Sequence, residues 1–184
     1  KAWLGEKSPF GANALTVNPW MGLETLFPFI DVANESNSGV FILLKTSNAG
    51  SKDIQDLLVN NRAVFIHLAN LLQKSCSTNL GKFGYSDIGV VVGATQPKEA
   101  KLIRKILPKS LFLIPGFGEQ GASASEALSG LILKNKIYEG GLINSSRSIL
   151  FPKDSHDLND SLKWKEKIVL ALKKTTNKLK FRAD

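Results

Sequence analysis

Two periods of apolar and polar residues alternate along this chain. Short, nearly continuous apolar runs recur, each closed by a polar or glycine-rich tip, and stretches with helical spacing lie between them. The first run, Asn13-Ala14-Leu15-Thr16-Val17-Asn18, reads as a short strand stopped by Pro19. Val40-Phe41-Ile42-Leu43-Leu44 follows Gly39 and ends in Lys45-Thr46-Ser47-Asn48-Ala49-Gly50. Asp87-Ile88-Gly89-Val90-Val91-Val92 ends in Gly93-Ala94-Thr95, and Leu111-Phe112-Leu113-Ile114 ends in Pro115-Gly116-Phe117-Gly118-Glu119-Gln120-Gly121. The last, Gly141-Leu142-Ile143, ends in Asn144-Ser145-Ser146-Arg147. Apolar runs without alternation mean strands buried on both faces, as in parallel sheets.

The intervening segments predict helices. Leu23, Leu26, Phe27 and Ile30 have helical spacing, but Pro28 among them predicts two short turns rather than one helix. Val64, Leu68, Leu71 and Leu72 mark one face of a longer amphipathic segment. Thr95 suits an N-cap and Pro97 a first turn, for a helix burying Ala100, Ile103 and Leu107. Ser123 or Ser125 caps the next, with Ala127, Leu128, Leu131 and Ile132 inward. A last helix runs from about Ser161 to Lys174, with Leu162, Ile168, Val169 and Leu172 as its apolar positions. Strand then helix, repeated, gives an α/β fold with a parallel sheet, whose functional groups collect at the C-terminal ends of the strands.

Bulk properties narrow this picture. A chain of 184 residues that is 43% hydrophobic buries a core of ordinary size and predicts a single domain over residues 1–184. The lone cysteine, Cys76, permits no internal disulfide, so a cytoplasmic setting is the expectation. No apolar run approaches the roughly 18–20 residues needed to cross a bilayer, so no membrane partner is expected. The start, Lys1-Ala2-Trp3-Leu4-Gly5-Glu6, lacks an initiator Met and looks like the middle of a helix, which predicts an upstream segment not present here. Net charge is +8, much of it from Lys163, Lys165, Lys167, Lys173, Lys174, Lys178, Lys180 and Arg182. Only Trp164 and Phe181 accompany those charges, whereas nucleic-acid binders interleave aromatics or carry a known module. A solvated helix face, and a small anionic ligand rather than nucleic acid, is the reading.

The chemistry-bearing stretches are the last two strand tips. Gly116, Gly118 and Gly121 let backbone N–H groups approach a ligand, and Ser145-Ser146-Arg147 adds hydroxyls and a guanidinium. Neighbouring tips of this kind make a phosphate cup, as after strands seven and eight of a (β/α)₈ barrel. Other reactive residues read as structural. His67 lies on the amphipathic segment, His156 has no third metal ligand at suitable spacing, and Cys76 and Ser146 have no activating base nearby. Lys45 is either a site cation or, the plainer reading, a solvated lysine at a strand tip.

Taken in order, these tips resemble orotidine 5′-monophosphate decarboxylases of the bacterial type with a Thr-Val-Asn-Pro strand. The match runs through Thr16-Val17-Asn18-Pro19, Lys45-Thr46-Ser47-Asn48, Gly93-Ala94-Thr95, Pro115-Gly116-Phe117-Gly118 and Ser145-Ser146-Arg147. The resemblance implies a TIM barrel of which this chain supplies about five βα units, strands four to eight. It also implies a homodimer and cofactor-free decarboxylation of orotidine monophosphate to uridine monophosphate (UMP). Under it, Ser47 contacts the pyrimidine, Pro115 lines the ring pocket, and Gln120 reaches between base and phosphate. Gly118, Ser146 and Arg147 hold the phosphate. Glu119, Asn13 and Ala122-Ser123 depart from the family's usual residues. The family's catalytic Lys and its Asp-x-Lys-x-x-Asp motif do not occur here: Lys52-Asp53 with Asp56, and Asp160 with Lys163, have the wrong spacing. The resemblance therefore places the catalytic residues upstream of Lys1. Two alternatives remain, a phosphate-binding barrel acting on a sugar phosphate and a non-catalytic nucleotide-binding module; Ser47 and Gln120, suited to a base edge, disfavour the former.

Overall fold

The computed structural model describes residues 2–5, 7–78, 80–118, 120–152 and 160–179. In chain order the strands are β1 (Ala14–Val17), β2 (Gly39–Lys45), β3 (Leu58–Val59), β4 (Arg62–Ala63), β5 (Ser86–Val92), β6 (Ser110–Ile114), β7 (Ile132–Lys134), β8 (Ile137–Glu139) and β9 (Gly141–Ile143). The helices are α1 (Phe27–Glu35), α2 (Lys52–Gln55), α3 (Val64–Leu72), α4 (Pro97–Ile106), α5 (Ala124–Leu128), α6 (Arg147–Leu150) and α7 (Ser161–Leu179). β1, β2, β5, β6 and β9 form one sheet in that order, with every neighbouring pair parallel. Five consecutive parallel βα units in sequential order are an arc of a (β/α)₈ barrel.

The two faces of the arc differ. Val40, Ile42, Leu44, Ile88, Val90, Val92, Phe112 and Ile114 are buried in one cluster with Ile30 of α1, Phe65 and Leu72 of α3, and Ile103 of α4. On the other face, register aligns Leu43 with Val91, Val91 with Leu113, and Leu113 with Leu142. Leu43 and Leu113 are half-buried there, and Leu142, at the end strand, is 58% exposed. This second face corresponds to the interior of a closed barrel.

Several local expectations are corrected. The Pro28 segment is in two pieces, a 3₁₀ turn over Leu23–Thr25 and then α1, but the second is a full helix to Glu35 rather than a short turn, because Pro28 sits in its first turn, where its missing N–H has no helical partner to lose. α3 buries Phe65, Ala69 and Leu72, while Leu71 is exposed; Phe65 and Ala69 extend the stripe that Leu72 belongs to. Leu131 is buried but outside any helix, and Ile132 starts β7 rather than lying on a helix face. β7 and β8 form a hairpin about Asn135 and Lys136, both at positive φ (49° and 64°), as a two-residue primed turn requires. Asn60 and Asn61 (φ 49° and 59°) turn the β3–β4 hairpin in the same way. α7 extends past Lys174 to Leu179 and starts where Asp160 Oδ1 accepts the Leu162 N–H at 2.9 Å. It rests on α5 and α6 with Leu162, Val169 and Leu172 exposed, so the expected apolar stripe is largely uncovered. No helix among the described residues is long and apolar enough to cross a membrane.

Candidate functional site

Backbone hydrogen bonds hold the strand tips in a row beyond the strands themselves. The Gly93 N–H donates to Lys45 O (2.7 Å), the Ala94 N–H to Pro115 O (2.8 Å) and the Asn144 N–H to Ile114 O (2.9 Å). Against this frame Ser47 is packed tightly. A Cβ placed on Gly93 would lie 2.6 Å from Ser47 Cα, and one on Gly116 would lie 2.9 Å from Ser47 Cβ. The Thr95 hydroxyl donates to Ser47 O at 3.0 Å, so Thr95 ties two tips together and Gln96, with no side-chain bond, takes the N-cap of α4.

Gly116 is the point about which the first cluster gathers. Its φ of 98° is in the region that favours glycine, and the same imagined Cβ would meet Gln120 Oε1 at 2.7 Å. Ser47 and Gln120 therefore converge over one glycine, beside half-buried Pro115. Both are polar side chains able to donate and accept hydrogen bonds, as the edge of a nucleobase demands.

A second cluster lies one tip further on. A Cβ on Gly118 would stand 3.0 Å from Ser148 Oγ and 3.4 Å from Ser145 Oγ. Ser145 Oγ donates to Phe117 O at 3.0 Å and lies 2.7 Å from Ser148 Oγ, which locks the glycine loop to the start of α6. Ser146 Oγ donates to Asn144 Oδ1 (3.3 Å), and Arg147 opens α6 with its side chain exposed. Gly118, Ser145, Arg147 and Ser148 line one wall of a cavity of about 850 Å³; Lys167, Lys174 and Lys178 of α7 line another. The local field is cationic, which favours an anion.

The residues singled out in the sequence thus fall into two adjoining groups, with Ser146 beside the second. Ser47, Pro115 and Gln120 gather about Gly116. Gly118 and Arg147 line one cavity where β9 meets α6, while the Ser146 hydroxyl turns to Asn144 and is not part of that lining. Ser145 belongs to the expected Ser145-Ser146-Arg147 cup, whereas Ser148, its hydroxyl partner, was not expected; a third hydroxyl close behind Ser145-Ser146 at a strand end is the sequence signal for it. Thr95 was expected only as a helix cap.

Lys45 is neither a site cation nor a solvated tip. A register irregularity between Leu43 and Lys45 puts Leu44 and Lys45 both in buried positions. The Lys45 ammonium is fully buried, 2.7 Å from Asp56 Oδ1 and 3.4 Å from Ser51 Oγ, with the Phe65 ring centroid at 5.7 Å. His67 is half-buried with Nε2 2.8 Å from Val59 O, a structural bond that ties α3 to β3. Cys76 is buried, and burial pushes its thiol up to about 11, so thiolate chemistry is suppressed. Among the described residues no group of three His, Cys, Asp or Glu is placed to hold a metal ion. His156 and Glu119 lie outside the described residues.

The chain is similar to known proteins of one family. The model of the orotidine 5′-phosphate decarboxylase / HUMPS family matches residues 2–157. The orotidine 5′-phosphate decarboxylase of Rhodopirellula baltica is 35% identical over 97% of this chain and 61% of its own length. That of Clostridium botulinum Loch Maree is 45% identical over 80% of this chain and 50% of its own. Among solved structures, a putative orotidine 5′-phosphate decarboxylase from Streptomyces avermitilis superposes with a TM-score of 0.72 at 25% identity, covering 97% of this chain and 57% of that one. The OMP decarboxylase of Leishmania donovani gives a TM-score of 0.67 at 30% identity, covering 91% and 56%. The chain spans about half to three-fifths of the length of these relatives. With a family match over residues 2–157 and a relative 35% identical across 97% of its length, this chain belongs to the orotidine 5′-phosphate decarboxylase / HUMPS family.

Proposed function

We propose that this chain supplies the base-binding and phosphate-binding loops of an orotidine 5′-phosphate decarboxylase. The observation that carries the reading is the adjacency of two unlike clusters. Ser47 and Gln120 meet over Gly116, two residues from Gly118, whose loop is bonded to Ser145, Ser148 and the start of α6. A nucleoside monophosphate needs both kinds of contact. Ser47 and Gln120 bind the pyrimidine edge with Pro115 against the ring, and Gln120 also reaches toward the phosphate. Gly118 N–H, Ser146 and the Arg147 fork hold the phosphate.

In the reaction the bond between C6 and the carboxylate breaks and CO₂ leaves. The electron pair stays on C6, and a proton then replaces the carboxylate without any cofactor. Catalysis requires groups that favour the carbanion-like transition state over the substrate carboxylate. A lysine flanked by carboxylates fits that task, and none occurs at the family's spacing in residues 1–184. We place these groups in the portion of the relatives' length that this chain does not span. The chain then acts as one domain of a barrel, in a cytoplasmic homodimer.

The test is the fall in ultraviolet absorbance as orotidine monophosphate becomes UMP, measured for the full-length protein and for residues 1–184 alone. Turnover by the former and none by the latter is expected. Absence of turnover by the former overturns the activity; robust turnover by a sample whose mass equals 184 residues overturns the placing of the catalytic groups.

A further inference from the structure

We propose that Gln55 is a positioning residue that sets the orientation of Ser47 toward the base. The inference rests on the reading of Ser47 as a base contact. Strand pairing at the end of β2 stops with the Lys45 carbonyl, which accepts from Gly93. The next N–H, that of Thr46, donates instead to Gln55 Oε1 at 3.0 Å, and Gln55 Nε2 donates back to Thr46 Oγ1 at 3.0 Å. The Thr46 hydroxyl in turn donates to Asn48 Oδ1 at 2.7 Å. One planar amide therefore fixes the backbone and the hydroxyl before Ser47, and that hydroxyl fixes the residue after it.

Two features make this clamp matter. α2, which carries Gln55, has no buried side chain, so packing does not dock it. Its link to the end of β2 is polar: the Gln55 amide and, next to it, Asp56 on the Lys45 ammonium. Ser47 has no slack either: it packs so close to the Gly93 backbone that a Cβ added there would come within 2.7 Å of its Cα and Cβ. A tilt of the Thr46–Ser47 peptide passes directly to the Ser47 hydroxyl. Gln55 itself stands apart from the ligand clusters and acts through Thr46.

The experiment compares wild type, Gln55→Leu and Gln55→Glu in the full-length protein. It measures the dissociation constants of UMP and ribose 5-phosphate by calorimetry, with Tm as a control. Gln55→Leu removes two neutral hydrogen bonds from the loop and should weaken UMP binding by about fivefold or more, with ribose 5-phosphate changed by less than about twofold. Gln55→Glu keeps the acceptor for the Thr46 N–H and should restore most of the UMP affinity. Should Gln55→Leu fail to fold, Thr46→Val, which deletes the hydroxyl that accepts from Gln55 and donates to Asn48, should show the same selectivity for UMP. Equal losses for the two ligands, or undiminished UMP binding, overturns the proposal. A wild-type protein that binds ribose 5-phosphate but not UMP overturns the base-site reading itself, and the proposal with it.

Discussion

The Arg104 guanidinium carbon lies 3.6 Å from the centroid of the Phe112 ring, a stacked cation–π contact beneath the sheet. From there Arg104 donates to four carbonyls: Gly130 O (2.9 Å), Leu107 O (3.2 Å), Ser110 O (2.6 Å) and Gly140 O (2.7 Å). Burial pulls this guanidinium down to about 10, the mark of a desolvated charge. It joins the beginnings of β6 and β9 to α4, at the end of the sheet away from the ligand clusters. Arg104→Leu should destabilise the full-length protein by about 3 kcal/mol or more, because several carbonyls lose their donor inside the fold. Urea unfolding measures this, and a loss below about 1 kcal/mol would show that the carbonyls find other donors.

Arg147→Ala should weaken UMP far more than uridine. A charge-assisted phosphate contact is worth about 1.5–3 kcal/mol, or roughly ten- to a hundredfold in affinity. Gln120→Ala should cost less, since a neutral hydrogen bond contributes about 1 kcal/mol. Titration calorimetry orders the two. Equal losses of UMP and uridine in Arg147→Ala would remove that arginine from the phosphate site.

Gly93→Ala tests the tight seat of Ser47. The new methyl would meet Ser47 Cα at 2.6 Å and Ser47 N at 2.7 Å, and backbone cannot swing away as a side-chain end can. Overpacking should cost about 1–3 kcal/mol of stability. Displacing Ser47 by an ångström should lower turnover by up to about a hundredfold. Ribose 5-phosphate binding, which needs only the second cluster, should survive; its parallel loss would mean the two clusters are not separable.

Cys76 yields a pH prediction. Its folded value, about 11, is raised above the ordinary 9.0 by burial. The folded protein thus holds this proton where the unfolded chain releases it. The stabilisation is fully present below pH 9 and is lost as pH rises through 11, by about 3 kcal/mol at roughly 1.4 kcal/mol per unit. Cys76→Ala should lack that extra alkaline loss, and wild-type thiol should resist disulfide reagents at pH 8 until denatured. Rapid labelling of the native protein would contradict this.

Much of the fold was legible because the burial that makes these strands also writes continuous apolar runs. β2, β5 and β6 fall within the runs beginning at Val40, Asp87 and Leu111, allowing for a residue or two at each end. The hairpins were not legible. Asn60-Asn61 consists of residues that tolerate positive φ but was not read as a turn, and Asn135-Lys136 puts a lysine at positive φ, which no propensity favours, with the paired arms holding it there. Lys45 misled for a related reason. A lysine after an apolar run looks solvated unless one knows that a register slip turns it inward to Asp56, eleven residues on. The candidate site residues were legible as types at strand ends, and their grouping only through the family resemblance, not through spacing. That Ser47 shares Gly116 with Gln120 while Gly118 belongs with Ser145 depends on distances between chain segments far apart in sequence.

The β7–β8 hairpin projects where the chain enters β9, whereas the ligand clusters lie where strands leave the sheet. Its turn residues are exposed, and its arms pair with each other rather than with the main sheet. The gap between Asn135 and Lys136 is therefore a natural attachment point for a fluorophore-bearing peptide or an immobilisation handle. A protein tethered there would present its strand mouths outward to the flowing solution.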